Sequence, residues 1–299
     1  MDKIKPRNLL KLFLKIGFTA LLLYLVLNKI NFAEVKTIFQ RSNPYYILLA
    51  FITFLLSQVL SSWRLLSFLK NIRLKINFAS NFRLYLLGMF YNIFLPGGIG
   101  GDGYKIYLLR KKFHFPAKQI FGAIFFDRLS GLWALVFIAV SLLCVIPVTG
   151  INREWPIIIF IAGTLIYYFI LQRYFRIVSD HFLSNHLKAI AVQLFQAISV
   201  VFILFSINIK NNISPYLFSF MVSSLVSVIP FTIGGLGARE YVMIYAAALL
   251  NMDKTTGVFI SATFWAISAF TSLFGIYYTY GSHEFKSASK ATEGYNTLT

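Results

Sequence analysis

Residues 90–105 read Phe90-Tyr91-Asn92-Ile93-Phe94-Leu95-Pro96-Gly97-Gly98-Ile99-Gly100-Gly101-Asp102-Gly103-Tyr104-Lys105. An apolar run over 82–96 stops at a proline, passes through four glycines and meets a carboxylate, with a fifth glycine after it. Proline removes a helical hydrogen bond and glycine loses the most entropy on ordering, so a helix entering this stretch ends there. At ~1.5 Å per residue the run reaches ~22 Å, short of the ~30 Å hydrocarbon core of a bilayer. Broken backbone at membrane depth survives only when buried in protein or lining a wet cavity. The segment is therefore expected to be re-entrant, resuming as the short piece Tyr104–Leu109.

A second stretch behaves alike. The apolar run 215–233 carries Pro230 near its end, stops at Gly234-Gly235-Leu236-Gly237-Ala238-Arg239-Glu240 and resumes over Tyr241–Leu250. Six further apolar runs lie at about 9–28, 45–69, 121–146, 156–171, 189–209 and 256–280. Of 299 residues, 58% are hydrophobic and 13% charged, whereas a soluble domain carries about 25% charged residues. No polar surface for a soluble fold can be made from this composition. The first run, behind a basic start, has no small-residue cleavage site after it and reads as an uncleaved first spanning helix.

The net charge of +18 follows the gaps between apolar runs. With residues 1–15 inside, six runs spanning and the two glycine-broken ones returning to their own side, most basic residues fall inside. These include Lys70, Arg73 and Lys75, then Lys105, Arg110, Lys111 and Lys112, then Arg173 and Arg176. That bias is the positive-inside rule, and it places both termini in the cytoplasm. It also makes anionic headgroups at the cytoplasmic basic loops, not nucleic acid, the partner of the charge.

The expected fold is an all-α polytopic membrane protein with about six spanning helices and two re-entrant glycine-broken hairpins; eight spanning helices is the alternative. The order helix, helix, hairpin, helix occurs twice, over about 5–150 and 151–285, with opposite orientation. Residues 1–285 form the membrane domain and 286–299 a short polar tail. Inverted repeats with paired broken helices are a transporter signature, with the substrate site at the midplane between halves.

Gly98, Gly100 and Gly103 formally match a dinucleotide fingerprint, but that motif needs a preceding strand, and here a membrane helix precedes it. Neither a P-loop, nor a metal-ligand pattern among the four histidines, nor a catalytic triad is present, so no cofactor and no metal are expected. Cys144 is the only cysteine and reads as a small apolar filler. The glycine stretches instead free N–H and C=O groups that can hold an anion. This singles out Gly97, Gly98, Gly100, Gly101, Gly234, Gly235 and Gly237, with the charges Asp102, Arg239 and Glu240. Asp127 and Arg128 lie within the 121–146 run, where a charge costs ~2.5–3.5 kcal/mol and must pair or face a cavity. Arg128 suits phosphate oxygens. Asp127 reads as a pairing residue, Arg64 as either a partner or a snorkelling cation, and Asn92 and Gln58 as weaker polar candidates. The two glycine turns are expected to bring Asp102 close to Arg239 and Glu240, with Arg128 lining the approach.

The Asn-x-x-Leu-Pro-Gly-Gly-x-Gly-Gly-Asp motif at 92–102, the Asp127-Arg128 pair and the segment Ile229–Glu240 together resemble the lysylphosphatidylglycerol synthase transmembrane-domain family. The resemblance covers about residues 5–285. It implies a flippase-like protein of the cytoplasmic membrane that moves an anionic or lipid-linked substrate: aminoacyl-phosphatidylglycerol, a polyprenyl-phosphate sugar or a glycolipid. It also implies that Asp102, Arg128, Arg239 and Glu240 are functional. Full-length aminoacyl-lipid synthases add a C-terminal transferase, which is not expected here, so the chain is expected not to be an enzyme. A separately encoded lipid-modifying transferase is an expected partner. A membrane enzyme or subunit using a lipid-linked substrate is the alternative.

Overall fold

The computed structural model describes residues 32–94, 100–146, 154–228 and 234–280, with residues 17, 21, 24, 25 and 232. The first apolar run and the polar tail lie largely or wholly outside them, as do Gly97 and Gly98. The described residues form helices and no strand. In chain order these are α1 (Phe32–Arg41), α2 (Pro44–Asn71), α3 (Phe78–Phe94), α4 (Gly100–Phe113), α5 (Ala117–Val145) and α6 (Glu154–Tyr174). There follow α7 (Arg176–Ser179), α8 (Phe182–Ser206), α9 (Ile213–Ser227), α10 (Ala238–Leu250) and α11 (Lys254–Tyr280).

Five helices, α2, α5, α6, α8 and α11, are long and apolar enough to cross a membrane. Helices α3 and α9, on which the eight-crossing alternative depends, have 17 and 15 residues. They reach ~25 Å and ~22 Å, below the ~30 Å core. Their second arms α4 and α10 are shorter, at 14 and 13 residues. Each pair therefore forms a hairpin around its glycines. The outer surface is that of a chain solvated by lipid: Ile159, Leu165 and Phe169 on the peripheral helix α6 are 64–69% exposed.

The packing relates the two halves. Helix α2 makes its most extensive contact with α8, its counterpart in the second half. Helix α3 packs chiefly on α11, the last helix of the second half, and α9 packs on α5, the last helix of the first. Each hairpin thus leans on the closing helix of the opposite half. Apolar tails around the protein remove the usual hydrophobic drive, so small and polar side chains join the helices. Ser199 Oγ donates to the Ala50 carbonyl across α8 and α2 at 2.8 Å. Asn81 Nδ2 donates to the Ser62 carbonyl across α3 and α2 at 2.6 Å. At Gly275 on α11 a Cβ would stand 2.4 Å from the Leu86 carbonyl oxygen of α3, so only glycine permits that approach.

The ends of α2 show how local chemistry sets a span. Asn43 accepts from the Tyr45 N–H at 2.9 Å and Pro44 opens the helix, an N-cap followed by proline at its favoured position. At the other end the Leu74 N–H returns to the Leu69 carbonyl and the Arg73 N–H to Lys70. This is a Schellman motif, whose left-handed residue is usually glycine. Here it is Arg73, with φ 64°.

Candidate functional site

The first hairpin is closed by its glycines. The Gly101 N–H donates to Asn92 Oδ1 at 2.9 Å, tying α4 to α3. A Cβ on Gly101 would stand 1.9 Å from the Gly88 carbonyl oxygen, so backbone lies against backbone. Gly100 opens α4, and Asp102 sits in its first turn, where the partial positive charge of a helix start favours a carboxylate. Gly103 faces open space.

Asp102 is 4% exposed and accepts from two cations. Lys105 Nζ lies 3.3 Å from Oδ1, and Arg128 Nε bonds Oδ2. Lys105, assigned by the sequence reading to a cytoplasmic loop, is corrected by the structure: it is buried, with Nζ 4.9 Å above the Tyr85 ring. Its stem crosses Gly88, where a Cβ would meet Lys105 Cε at 2.1 Å. The signal for Lys105 was its i,i+3 spacing from Asp102, which places both on one helix face.

Asp127 and Arg128 are neighbours on α5 that pair in different directions, since successive helical residues project ~100° apart. Asp127 accepts from Arg64 Nε at 2.8 Å. Arg64 is 6% exposed, so of the two sequence readings the pairing one holds and the snorkelling one does not. Gly131 makes room for its head: a Cβ there would stand 3.2 Å from Arg64 Nη1. That Nη1 is itself buried without a hydrogen-bond partner. Gln58 accepts from the Tyr85 hydroxyl at 3.3 Å beside this group. The first-half cluster therefore joins Arg64, Lys105 and Arg128 to Asp102 and Asp127, one more cation than carboxylate. The Arg128 side chain is 37% exposed while Asp102 is 6%, so the guanidinium reaches a buried acid from an accessible approach.

The second hairpin is built on left-handed glycines, with φ 61° at Gly234, 85° at Gly235 and 82° at Gly237. Glu240 is 2% exposed, and one oxygen accepts from the Gly237 N–H at 2.7 Å, capping α10. Its Oε1 is buried without a hydrogen-bond partner. Arg239 donates to Ser224 Oγ at 3.1 Å and lies 5.5 Å from the Phe220 ring and 5.3 Å from the Phe264 ring. Among the described residues no carboxylate pairs with it. The expected meeting of Asp102 with Arg239 and Glu240 is not made by any ion pair or hydrogen bond among those residues. Asp102 is saturated by its own half, and Glu240 is used by its own helix. Gly97 and Gly98 lie outside the described residues.

The sequence profile of the family described as "Lysylphosphatidylglycerol synthase TM region" matches residues 12–275, both hairpins included. Among curated proteins, the chain is 28% identical over 219 residues to UPF0104 membrane protein MJ1078 of Methanocaldococcus jannaschii, an alignment covering 62% of this chain and 92% of that one. It is 27% identical over 172 residues to UPF0104 membrane protein MJ1595 of the same organism, covering 55% of this chain and half of that one.

Proposed function

We propose that this chain, which belongs to the lysylphosphatidylglycerol synthase TM-region family, is a flippase that carries an anionic or lipid-linked substrate across the cytoplasmic membrane. The observation that carries the reading is the first-half cluster, with its one cation in excess and the half-exposed Arg128 on the buried Asp102. An anionic headgroup entering a low-dielectric cavity needs positive charge already in place, and supplying it inside a membrane is costly enough to imply a use. Asp102 holds Arg128 and Lys105 in place when no substrate is present and offsets one of their two charges, because an unpaired buried charge is expensive. A phosphate can then compete with the carboxylate for the guanidinium, which offers the planar fork that phosphate oxygens fit. Arg239, held by aromatic rings and a serine, is the second contact in this scheme. Alternating access between the two halves moves the site from one face to the other. The basic loops support an orientation with both termini in the cytoplasm.

The alternative is a membrane enzyme or subunit acting on a lipid-linked substrate. The cluster supports transport over catalysis because both of its carboxylates are engaged by cations, leaving neither as an open general base. Purified protein supplied with lysyl-tRNA and phosphatidylglycerol is expected to form no lysyl-lipid; product from a clean preparation would move the enzyme reading first. The direct test is reconstitution in vesicles with a headgroup-labelled phosphatidylglycerol. Wild type should expose the label to an external quencher, and an equally inserted Arg128→Ala protein should not. Equal rates in the two would sink the proposal.

A further inference from the structure

A separate cavity of about 750 Å³ opens at the face where α2 ends, α5 begins and α6 bends into α7. Its lining carries four basic residues, Arg73, Lys118, Arg173 and Arg176, and no Asp or Glu. All four are exposed, and among the described residues none has an ion-pair partner. They contribute nothing to the Asp102 cluster. Between them the floor is apolar and aromatic, with Phe126 edge-on to Phe175 at a ring separation of 4.9 Å. A site that pairs unneutralised cations with an aromatic floor at the end of spanning helices suits an amphiphile, with its anionic head on the basic rim and its chain against the rings.

Two further observations point to a ligand. Asn71 lines the same cavity, and its Nδ2 is buried without a hydrogen-bond partner. A buried donor left unsatisfied is costly unless something accepts from it, and a phosphate oxygen is such an acceptor. Arg73 occupies the left-handed position of the Schellman turn, φ 64°. Glycine takes that conformation with no steric penalty, whereas a side chain carries one. The sequence tolerates the strain and thereby sets a guanidinium on the rim. The α5 helix, 29 residues long, adds the positive end of its dipole near Lys118 on the cavity wall, with no side-chain cap at Pro116.

We infer that this cavity is an anionic-phospholipid site, distinct from the translocation cluster and independent of whether the protein flips lipid. It holds a phosphate headgroup between Arg73, Arg173, Arg176 and Lys118, and anchors the α2, α5 and α6–α7 ends to the charged leaflet. Each basic residue near an anionic surface strengthens binding about fivefold.

The test uses the full-length protein in neutral detergent, titrated with phosphatidylglycerol or phosphatidylcholine and read by native mass spectrometry. Wild type should retain phosphatidylglycerol over phosphatidylcholine. The Arg173→Ala/Arg176→Ala protein should lose at least tenfold of that preference while binding phosphatidylcholine unchanged. Arg128→Ala should keep this binding event, which separates the site from the one proposed for transport. Inorganic phosphate at millimolar levels should not displace the lipid; displacement would reassign the pocket to a soluble phosphate compound and overturn the lipid reading. Arg73→Gly gives an internal check: it should weaken phosphatidylglycerol binding about fivefold while raising Tm, because it relieves the left-handed residue. A lowered Tm with lipid binding unchanged would make Arg73 structural. Undiminished phosphatidylglycerol preference in the Arg173→Ala/Arg176→Ala protein would overturn the site.

Discussion

Counted from their shared Gly-Gly-x-Gly, the two hairpins place opposite charges at the same position: Asp102 follows Gly97 by the interval at which Arg239 follows Gly234. The halves are alike in packing, each hairpin leaning on the other half's last helix, yet their chemistry diverges. Asp102 is enclosed by two cations. Arg239 has two aromatic faces and a serine hydroxyl, and the acid beside it turns back to cap its own helix. Matched packing of two hairpins therefore does not make matched sites. One hairpin holds an assembled ion-pair network and the other a guanidinium without a carboxylate among the described residues.

The strongest way to break this comparison is to remove each arginine separately. Arg128→Ala and Arg239→Ala are both expected to reduce lipid translocation by at least about 100-fold, the scale of losing a few kcal/mol of charge-assisted binding. Lysine at either position should rescue poorly, since the planar fork at Arg128 and the ring contacts at Arg239 are lost. Protein level and membrane insertion are the controls. Normal translocation in a stable Arg239→Ala protein would confine the site to the first half; normal rates in both would make the charges structural.

For stability the largest effect belongs to Asp102. Asp102→Ala strands Lys105 and Arg128, and leaving a buried charge unpaired costs about 3–5 kcal/mol. Adding Lys105→Met should recover a substantial part of the lost Tm, because the stranded ammonium is then replaced by an apolar chain of similar length. Thermal unfolding in detergent reads both variants. No recovery in the double variant would show that Lys105 is not held by Asp102.

A smaller and sharper contrast lies between two glycines of the same turn. Gly101→Ala drives a Cβ into the Gly88 carbonyl and should cost about 1–3 kcal/mol or more as overpacking. Gly103→Ala meets nothing within 4 Å and should be neutral or stabilising by up to about 1 kcal/mol, because alanine favours helix over glycine. Equal Tm losses at the two positions would mean that helix disruption, and not contact between α3 and α4, governs the hairpin.

The hairpins, the spanning helices and the charged positions were legible because their signals are local: run length, glycine clusters and charges inside apolar segments. What pairs with what was not. Asp127 and Arg128 adjoin in sequence, yet their partners come from α2 and α4, which only the packing of three helices decides. Lys105 read as part of a basic loop because Arg110, Lys111 and Lys112 follow it. Fewer than two helical turns separate a buried lysine from those that follow it, and composition does not resolve that difference. The expected meeting of Asp102 with Arg239 assumed that charges on matched turns pair across the halves. Each acid instead found a nearer donor, Lys105 and Arg128 for Asp102 and a backbone N–H for Glu240.

The smallest expected effect is at Glu240, and it separates two roles that its position allows. As a cap, Glu240 needs only an oxygen within reach of the Gly237 N–H, 2.7 Å away. As a counter-ion to Arg239, it needs its charge. Glu240→Gln keeps an accepting oxygen and removes the charge. The second oxygen has no hydrogen-bond partner among the described residues, so the amide nitrogen that replaces it gains no bond there, but the burial cost of a carboxylate disappears as well. These terms oppose each other, and Tm should move by no more than that of a surface substitution, about 0.5 kcal/mol. Translocation should stay near wild type. Glu240→Ala removes the cap itself and should cost about 0.5–2 kcal/mol. A dead but fully stable Glu240→Gln protein would show that the second hairpin depends on a charge pair after all, and the two halves would then be electrostatically closer than their contacts indicate.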